Sequence, residues 1–207
     1  MLLIGQYDSP FVRRVAIALA LYDLPFTHHP WSTFADADKI RPYNPLTRVP
    51  TLVLDDGEVI SDSHCILQYL DQLAPADRVL WPRLEDRAHA LAITALATGA
   101  ADKAVTLFYE RRMHREVSEP WVARCRGQIT GALAQLEADR APRTTEHWFG
   151  DRLGHTDVAV ATMLRFVAEA HADLVTPAYP ALSAHAARLE ALPVFQRLAQ
   201  SFKPPAT

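Results

Sequence analysis

Arg48-Val49-Pro50-Thr51-Leu52-Val53-Leu54-Asp55-Asp56-Gly57-Glu58-Val59-Ile60-Ser61-Asp62-Ser63 is the stretch on which the reading of the fold turns. Thr51 to Leu54 and Glu58 to Ile60 are two short apolar runs, and Asp55-Asp56-Gly57 between them supplies an Asp-Gly turn. The pair reads as a β-hairpin. Pro50 lacks an N–H and would interrupt a ladder, which places it at a strand start. Asp62 and Ser63 are helix-opening residues, and Ile66, Tyr69, Leu70 and Leu73 follow on one helical face.

Toward the amino terminus the same alternation continues. Leu2-Leu3-Ile4 is a short apolar strand. Ser9-Pro10 has the N-cap and N1-proline signature of a helix start, with Val12, Val15, Ala16 and Leu19 on one face. Pro25-Phe26-Thr27-His28 reads as a second strand. The order βαβ, then ββα, makes a small α/β layer on four strands.

Toward the carboxyl terminus the composition changes near residue 80. Residues 1–82 hold 8 prolines and 7 alanines; residues 83–207 hold 7 prolines and 26 alanines. Alanine is the strongest helix former, so the second part should be helical. Long patterns cover residues 84–115 and 119–138, a third runs from Gly154 to about Ala170, and a fourth from Leu182 to Leu192 stops at Pro193. These make a helical bundle. Ala74 to Pro82 reads as a linker anchored by Trp81, which sets domains at 1–76 and 83–207.

The whole chain has 207 residues, 49% of them apolar and 22% charged, with a net charge of −3. Area scaling gives about 9,700 Å² folded against about 33,000 Å² unfolded, enough for one large core or two small ones. The absence of a basic excess argues against nucleic-acid binding. Met1 to Gly5 lacks the basic region and cleavage site of a signal peptide, and the longest apolar stretch, Val15 to Tyr22, is too short to span a bilayer. Cys65 and Cys125 stand sixty residues apart without CxxC spacing, which suits a reducing compartment and a cytoplasmic protein with no membrane partner.

Three places can carry chemistry. Ser9 is an N-cap, but a hydroxyl at a helix N-terminus can also stabilise an anion. A cis Val49-Pro50 bond would leave Val49's N–H and C=O free to pair with an extended peptide ligand; a trans proline in a loop is the commoner state. Asp62 and Ser63 are caps, or a pocket in which Asp62 meets an ammonium while Ser63 and its N–H hold a carboxylate.

Taken together, Ser9-Pro10-Phe11-Val12-Arg13-Arg14-Val15, Asn44-Pro45-Leu46-Thr47-Arg48-Val49-Pro50-Thr51-Leu52 and Ile60-Ser61-Asp62-Ser63, followed by a helical half, resemble a cytosolic glutathione S-transferase of the serine type. Gly150 to Ala159 is similar to that family's capping-box segment. The resemblance covers essentially the whole chain. It implies an α/β thioredoxin-like N-terminal domain that binds glutathione and an all-α C-terminal bundle domain that supplies the site of a hydrophobic electrophile. It also implies a homodimer and no metal. By the same resemblance Ser9 stands at the catalytic hydroxyl's position, Val49 beside cis Pro50 pairs with the cysteinyl unit, Asp62 and Ser63 hold the γ-glutamyl end, and Arg48 reaches the glycyl carboxylate.

Tyr7, two residues before Ser9, is the alternative catalytic hydroxyl, since tyrosine-type classes place theirs there. Omega-like members have cysteine where this chain has Ser9, so mixed-disulfide chemistry through that position is not expected. Gly154 replaces the usual Ser or Thr of the capping box, although Asp157 can still reach back to the backbone. Zeta-class isomerases carry a Ser-Ser-Cys-Ser-type motif that Ser9-Pro10-Phe11-Val12 does not match. Conjugation is therefore the favoured reading, with glutathione-dependent cis–trans isomerisation and a non-catalytic binding protein as alternatives. Cys65 reads as a small buried hydrophobe, Gly127 and Gly131 as close helix packing, and Tyr109 to Arg112 as a solvated helix end or the rim of an electrophile site. No two of the nine histidines stand four apart, so no zinc site is expected.

Overall fold

The computed structural model describes residues 1–204. The described residues divide into two compact units: Met1–Leu80 together with residues 192–204, and Trp81–Ala191. The sequence reading placed everything from residue 83 to 207 in the helical half. The segment after Leu192 instead belongs to the first unit, and residues 205–207 lie outside the described residues.

In the first unit, β1 (Leu2–Ile4), β2 (Thr27–His29), β3 (Thr51–Val53) and β4 (Val59–Ser61) form one sheet in the order β2-β1-β3-β4. β1 and β2 are parallel, as a crossover through α1 (Pro10–Leu21) requires; the other two pairings are antiparallel. The Asp-Gly turn forms as read: Leu54 N–H donates to Glu58 C=O at 2.8 Å, and Gly57 has φ 91°. Between β2 and β3 lies a single turn, α2 (Ala37–Ile40), whose one buried residue is Ile40. Helix α3 (Ser63–Leu73) follows β4 and buries Ser63, Ile66, Leu67 and Leu70. Its buried face is rotated from the expected one, and Leu73 is exposed.

Helix α1 is buried on more than its apolar face, because Arg13 and Arg14 are also enclosed. Arg13 explains why the last segment returns to this unit. Its Nε donates to Leu198 C=O at 3.0 Å and its Nη2 to Phe195 C=O at 2.8 Å. These are orphan carbonyls at the end of α8 (Pro193–Arg197), and the guanidinium lies over the fully buried Phe195 ring. Pro193, expected as a stop, is the first residue of that helix, a position proline favours.

The second unit is all helix apart from its connections: α4 (Leu84–Met113), α5 (Glu119–Arg140), α6 (His155–Ala170), a 3₁₀ turn (Ala172–Leu174) and α7 (Pro180–Glu190). Length and composition alone would let α4 cross a membrane. It packs on both α5 and α6, and its buried residues include Ala90, Ile93, Thr94, Ala97, Ala101, Ala104 and Leu107. The small side chains at these spacings let the neighbouring helices approach. Helix α6 is the central element, buried along nearly its whole length. Trp81, the expected linker anchor, is only half-buried, and Leu80 is the enclosed residue there. A Cβ at Gly127 or Gly131 would meet open space, so neither glycine serves close packing.

Candidate functional site

The register of the sheet brings the singled-out segments to one place. Ile4 pairs with Thr51, and Thr51 pairs with Ser61. Gly5 to Ser9 leave β1 just after Ile4, Val49-Pro50 enter β3 just before Thr51, and Asp62-Ser63 leave β4 just after Ser61. All three therefore lie at the same end of the sheet, on adjacent strands about 4.8 Å apart.

Ser9 caps α1, with extended backbone and its Oγ accepting from Val12 N–H at 3.4 Å. That bond is long, and it uses a lone pair while leaving the hydroxyl hydrogen uncommitted. Tyr7 is placed differently. Its ring stacks on His28 with centroids 3.9 Å apart and planes 5° apart, and its N–H donates to Gln200 Oε1 at 3.1 Å. Burial pushes the Tyr7 hydroxyl up from its ordinary range, against the pull of Arg197. A weaker acid is a weaker donor. His28 is fixed in turn by a 2.7 Å contact between Nε2 and Gly5 C=O.

The Val49-Pro50 bond is cis. Val49 is half-buried, and neither its N–H nor its C=O has a hydrogen-bond partner among the described residues. Arg48 beside it is exposed. The loop is shaped by Asn44, 3% exposed, whose Nδ2 donates to Arg48 C=O at 3.1 Å and to Thr51 Oγ1 at 3.0 Å. Gly5 sets how closely this loop meets β1. Its φ is 130°, and a Cβ there would stand 2.5 Å from Val12 Cγ2 and 2.8 Å from Val49 Cβ. Sequence reasoning missed both roles, although Asn-Pro and the glycine after an apolar strand were visible signals.

Asp62 has φ 73°, a left-handed value uncommon outside glycine, and its Oδ1 accepts from His64 N–H at 2.8 Å. Its other carboxylate oxygen accepts nothing among the described residues. Ser63 is buried at 2% exposure, and its Oγ accepts from Arg14 Nη1 at 3.3 Å. Arg14 was not singled out from sequence. Burial lowers its pKa to about 10, against the charges of Asp62 and Asp71, so it stays protonated at neutral pH. Each capping residue thus satisfies the helix with part of its hydrogen-bonding capacity and keeps the rest. An anion with an ammonium neighbour fits the α3 end, and an anion fits the α1 end.

Residues 3–78 match the family model of the glutathione S-transferase N-terminal domain, and residues 119–188 match that of the C-terminal domain. The chain belongs to the glutathione S-transferase family. The maleylacetoacetate isomerase of Pseudomonas aeruginosa is 30% identical over 79% of this chain and 80% of its own length. The GST-like protein YibF of Escherichia coli is 31% identical over 66% of this chain and 68% of its own. Among solved structures, a glutathione S-transferase of Methylobacterium radiotolerans in complex with glutathione sulfonate superposes with a TM-score of 0.87 at 30% identity, covering 100% of this chain and 99% of that one.

In this member of the family the four-stranded α/β layer is the thioredoxin-like domain, and the bundle is the helical one. No group of three or more potential metal ligands occurs among the described residues. Cys65 is exposed, not buried as expected, because it falls beside the Ile66–Leu70 face rather than on it; Cys125 is the buried one. Asp157 does reach back, its Oδ2 accepting from Gly154 N–H at 2.8 Å, so the capping box works without a side chain at residue 154.

Proposed function

We propose that this chain binds glutathione at the sheet end formed by Ser9, Val49-Pro50 and Asp62-Ser63, and activates the thiol for attack on a hydrophobic electrophile. The observation that carries the reading is the Ile4–Thr51–Ser61 register, which gathers all three segments. The glutathione complex of a Pseudomonas fluorescens family member, 28% identical to this chain over 99% of it, supports the same ligand. Val49's unpaired backbone groups pair with the cysteinyl unit. Asp62 Oδ2 takes the γ-glutamyl ammonium, Ser63 takes its carboxylate, and Arg48 reaches the glycyl end.

Ser9 donates its hydroxyl hydrogen to the sulfur while Val12 N–H occupies a lone pair, so capping and catalysis are compatible. A free thiol with a pKa near 8.5 is only a few per cent ionised at pH 7; lowering it by roughly two units takes about 2.7 kcal/mol. One charge-assisted bond and the end of the α1 dipole are enough for that. Serine acts here as an anion stabiliser and not as a base. The helical unit carries the electrophile-binding residues, with Tyr109 to Arg112 of α4 as candidates.

A second reading has specific support. The maleylacetoacetate isomerase of Rattus norvegicus is 28% identical over 94% of this chain. In that reading glutathione adds to an unsaturated diacid and leaves after rotation. The deciding experiment is retention on immobilised glutathione, followed by parallel assays with an aromatic halide and with maleylacetoacetate. Turnover of the halide alone supports conjugation, turnover of the diacid alone supports isomerisation, and retention without either leaves a binding protein.

Replacing Asp62 tests the ligand pose. Asp62→Ala should raise the glutathione KM several-fold, with kcat little changed, because its contact persists through the reaction. Equal losses in kcat and kcat/KM would give it a transition-state role instead. The proposal includes a two-fold homodimer in the cytoplasm, since closed pairs are the commonest soluble oligomers. Light scattering at micromolar concentration should give about twice the 23.1 kDa chain mass; the mass of one chain would contradict it.

A further inference from the structure

Arg14 is 2% exposed, on α1, and its position has an energetic oddity. A cation taken out of water is costly unless it is paired and fully hydrogen-bonded. Arg14 has no ion pair within hydrogen-bond distance among the described residues, and its Nε is buried without a partner. Its recorded side-chain bond is from Nη1 to Ser63 Oγ at 3.3 Å. A guanidinium can only donate. The Ser63 oxygen must therefore accept, and its single O–H hydrogen is left for another acceptor. Ser63 is the first residue of α3, where backbone N–H groups also lack helical partners.

We propose that Arg14 is a positioning residue that occupies the acceptor side of the Ser63 hydroxyl, turns that hydroxyl into an outward donor, and so makes this end of α3 select a carboxylate over a neutral group. The inference rests on the glutathione reading and deepens it: the feature recognised is the α-carboxylate of the γ-glutamyl group. Three kinds of positive character then converge on one anion: the Ser63 O–H, the helix end, and the buried guanidinium beneath it. The charges of Asp62 and Asp71 favour the protonated guanidinium, and the Asp62 carboxylate accepts from His64 N–H rather than from Ser63.

Calorimetric titration with glutathione and with its analogue lacking the α-carboxylate, γ-aminobutyryl-cysteinyl-glycine, tests this. The unaltered protein should prefer glutathione by about tenfold or more, the scale of a hydrogen bond to a charged group. Arg14→Met should lose most of that preference while binding the analogue within about twofold of the unaltered protein, and Arg14→Lys, which keeps a cationic donor, should recover part of it. In a Ser63→Ala background, Arg14→Met should change the preference little further. Persistence of the full preference in Arg14→Met, or equal weakening of both ligands, would overturn the proposal. If Arg14→Met does not fold, Arg14→Lys decides: a preference smaller than that of the unaltered protein supports the proposal, and an undiminished one overturns it. Binding of neither ligand by the unaltered protein would overturn the proposed function itself, whereas equal binding of both would overturn this inference alone.

Discussion

Ser9→Ala should lower turnover roughly 10- to 1,000-fold while leaving glutathione affinity within a few-fold, the scale for removing one preorganised donor to a developing or bound anion. The substitution also removes an N-cap, which costs about 0.5–2 kcal/mol of stability. Against a total of about 5–15 kcal/mol, that leaves the protein overwhelmingly folded, so the fall in turnover reports chemistry. Ser9→Thr keeps both the acceptor and the O–H and should retain most of the activity. Tyr7→Phe should have a small effect, because the ring is committed to His28 and burial weakens the phenol as a donor. Steady-state kinetics of the four proteins decides. Full turnover in Ser9→Ala with loss in Tyr7→Phe would move the assignment to Tyr7.

Asp157→Ala should destabilise the helical unit by about 3–5 kcal/mol, the cost of leaving buried donors without an acceptor. Asp157 is 1% exposed. Its Oδ2 accepts from Gly154 N–H and its Oδ1 from Trp148 N–H, each at 2.8 Å. Trp148 is fully buried and is held at its other end by a 2.8 Å bond from Nε1 to Asp139 Oδ1. One carboxylate thus ties the start of α6 to the loop before it. The urea midpoint of unfolding should fall sharply, and an unchanged midpoint would show that the network contributes nothing net. His185 lies 2.9 Å from Asp157 Oδ1, out of line for a hydrogen bond. Burial holds its imidazole below the ordinary range, against the pull of Asp157. The unfolded chain therefore takes up the proton first, and stability of the unaltered protein should decline as pH falls below about 6.5.

The parts of the fold legible in sequence are those written in local signals. Asp55-Asp56-Gly57, Ser9-Pro10 and Asp62-Ser63 each specify a turn or a cap over a few residues, and each is found where it was read. Helix α2 was missed because one turn with a single buried side chain, Ile40, has no period to detect. Pro193 carries two meanings, the end of one helix and the first residue of the next, and sequence alone favoured the first. The return of the last segment depends on Arg13 reaching carbonyls 182 and 185 residues away, which no local pattern encodes. Arg14 was hidden for the same reason. A charged residue within an amphipathic pattern reads as solvated, and only the packing of α3 over α1 encloses it. The candidate site residues were legible as a set because they share motif spacing. The residues that shape them, Gly5, Asn44 and Arg14, act through close approach and buried hydrogen bonds instead.

The claim on which the rest depends is that Ser9 stabilises a glutathione thiolate. It is tested most directly by following thiolate absorbance of bound glutathione as pH is raised, with Ser9→Ala as the reference. The bound thiol of the unaltered protein should titrate roughly two units below the free value of about 8.5, and that of Ser9→Ala should return most of the way to it. A bound thiol that titrates near 8.5 in the unaltered protein, or equally low in both proteins, would contradict the account.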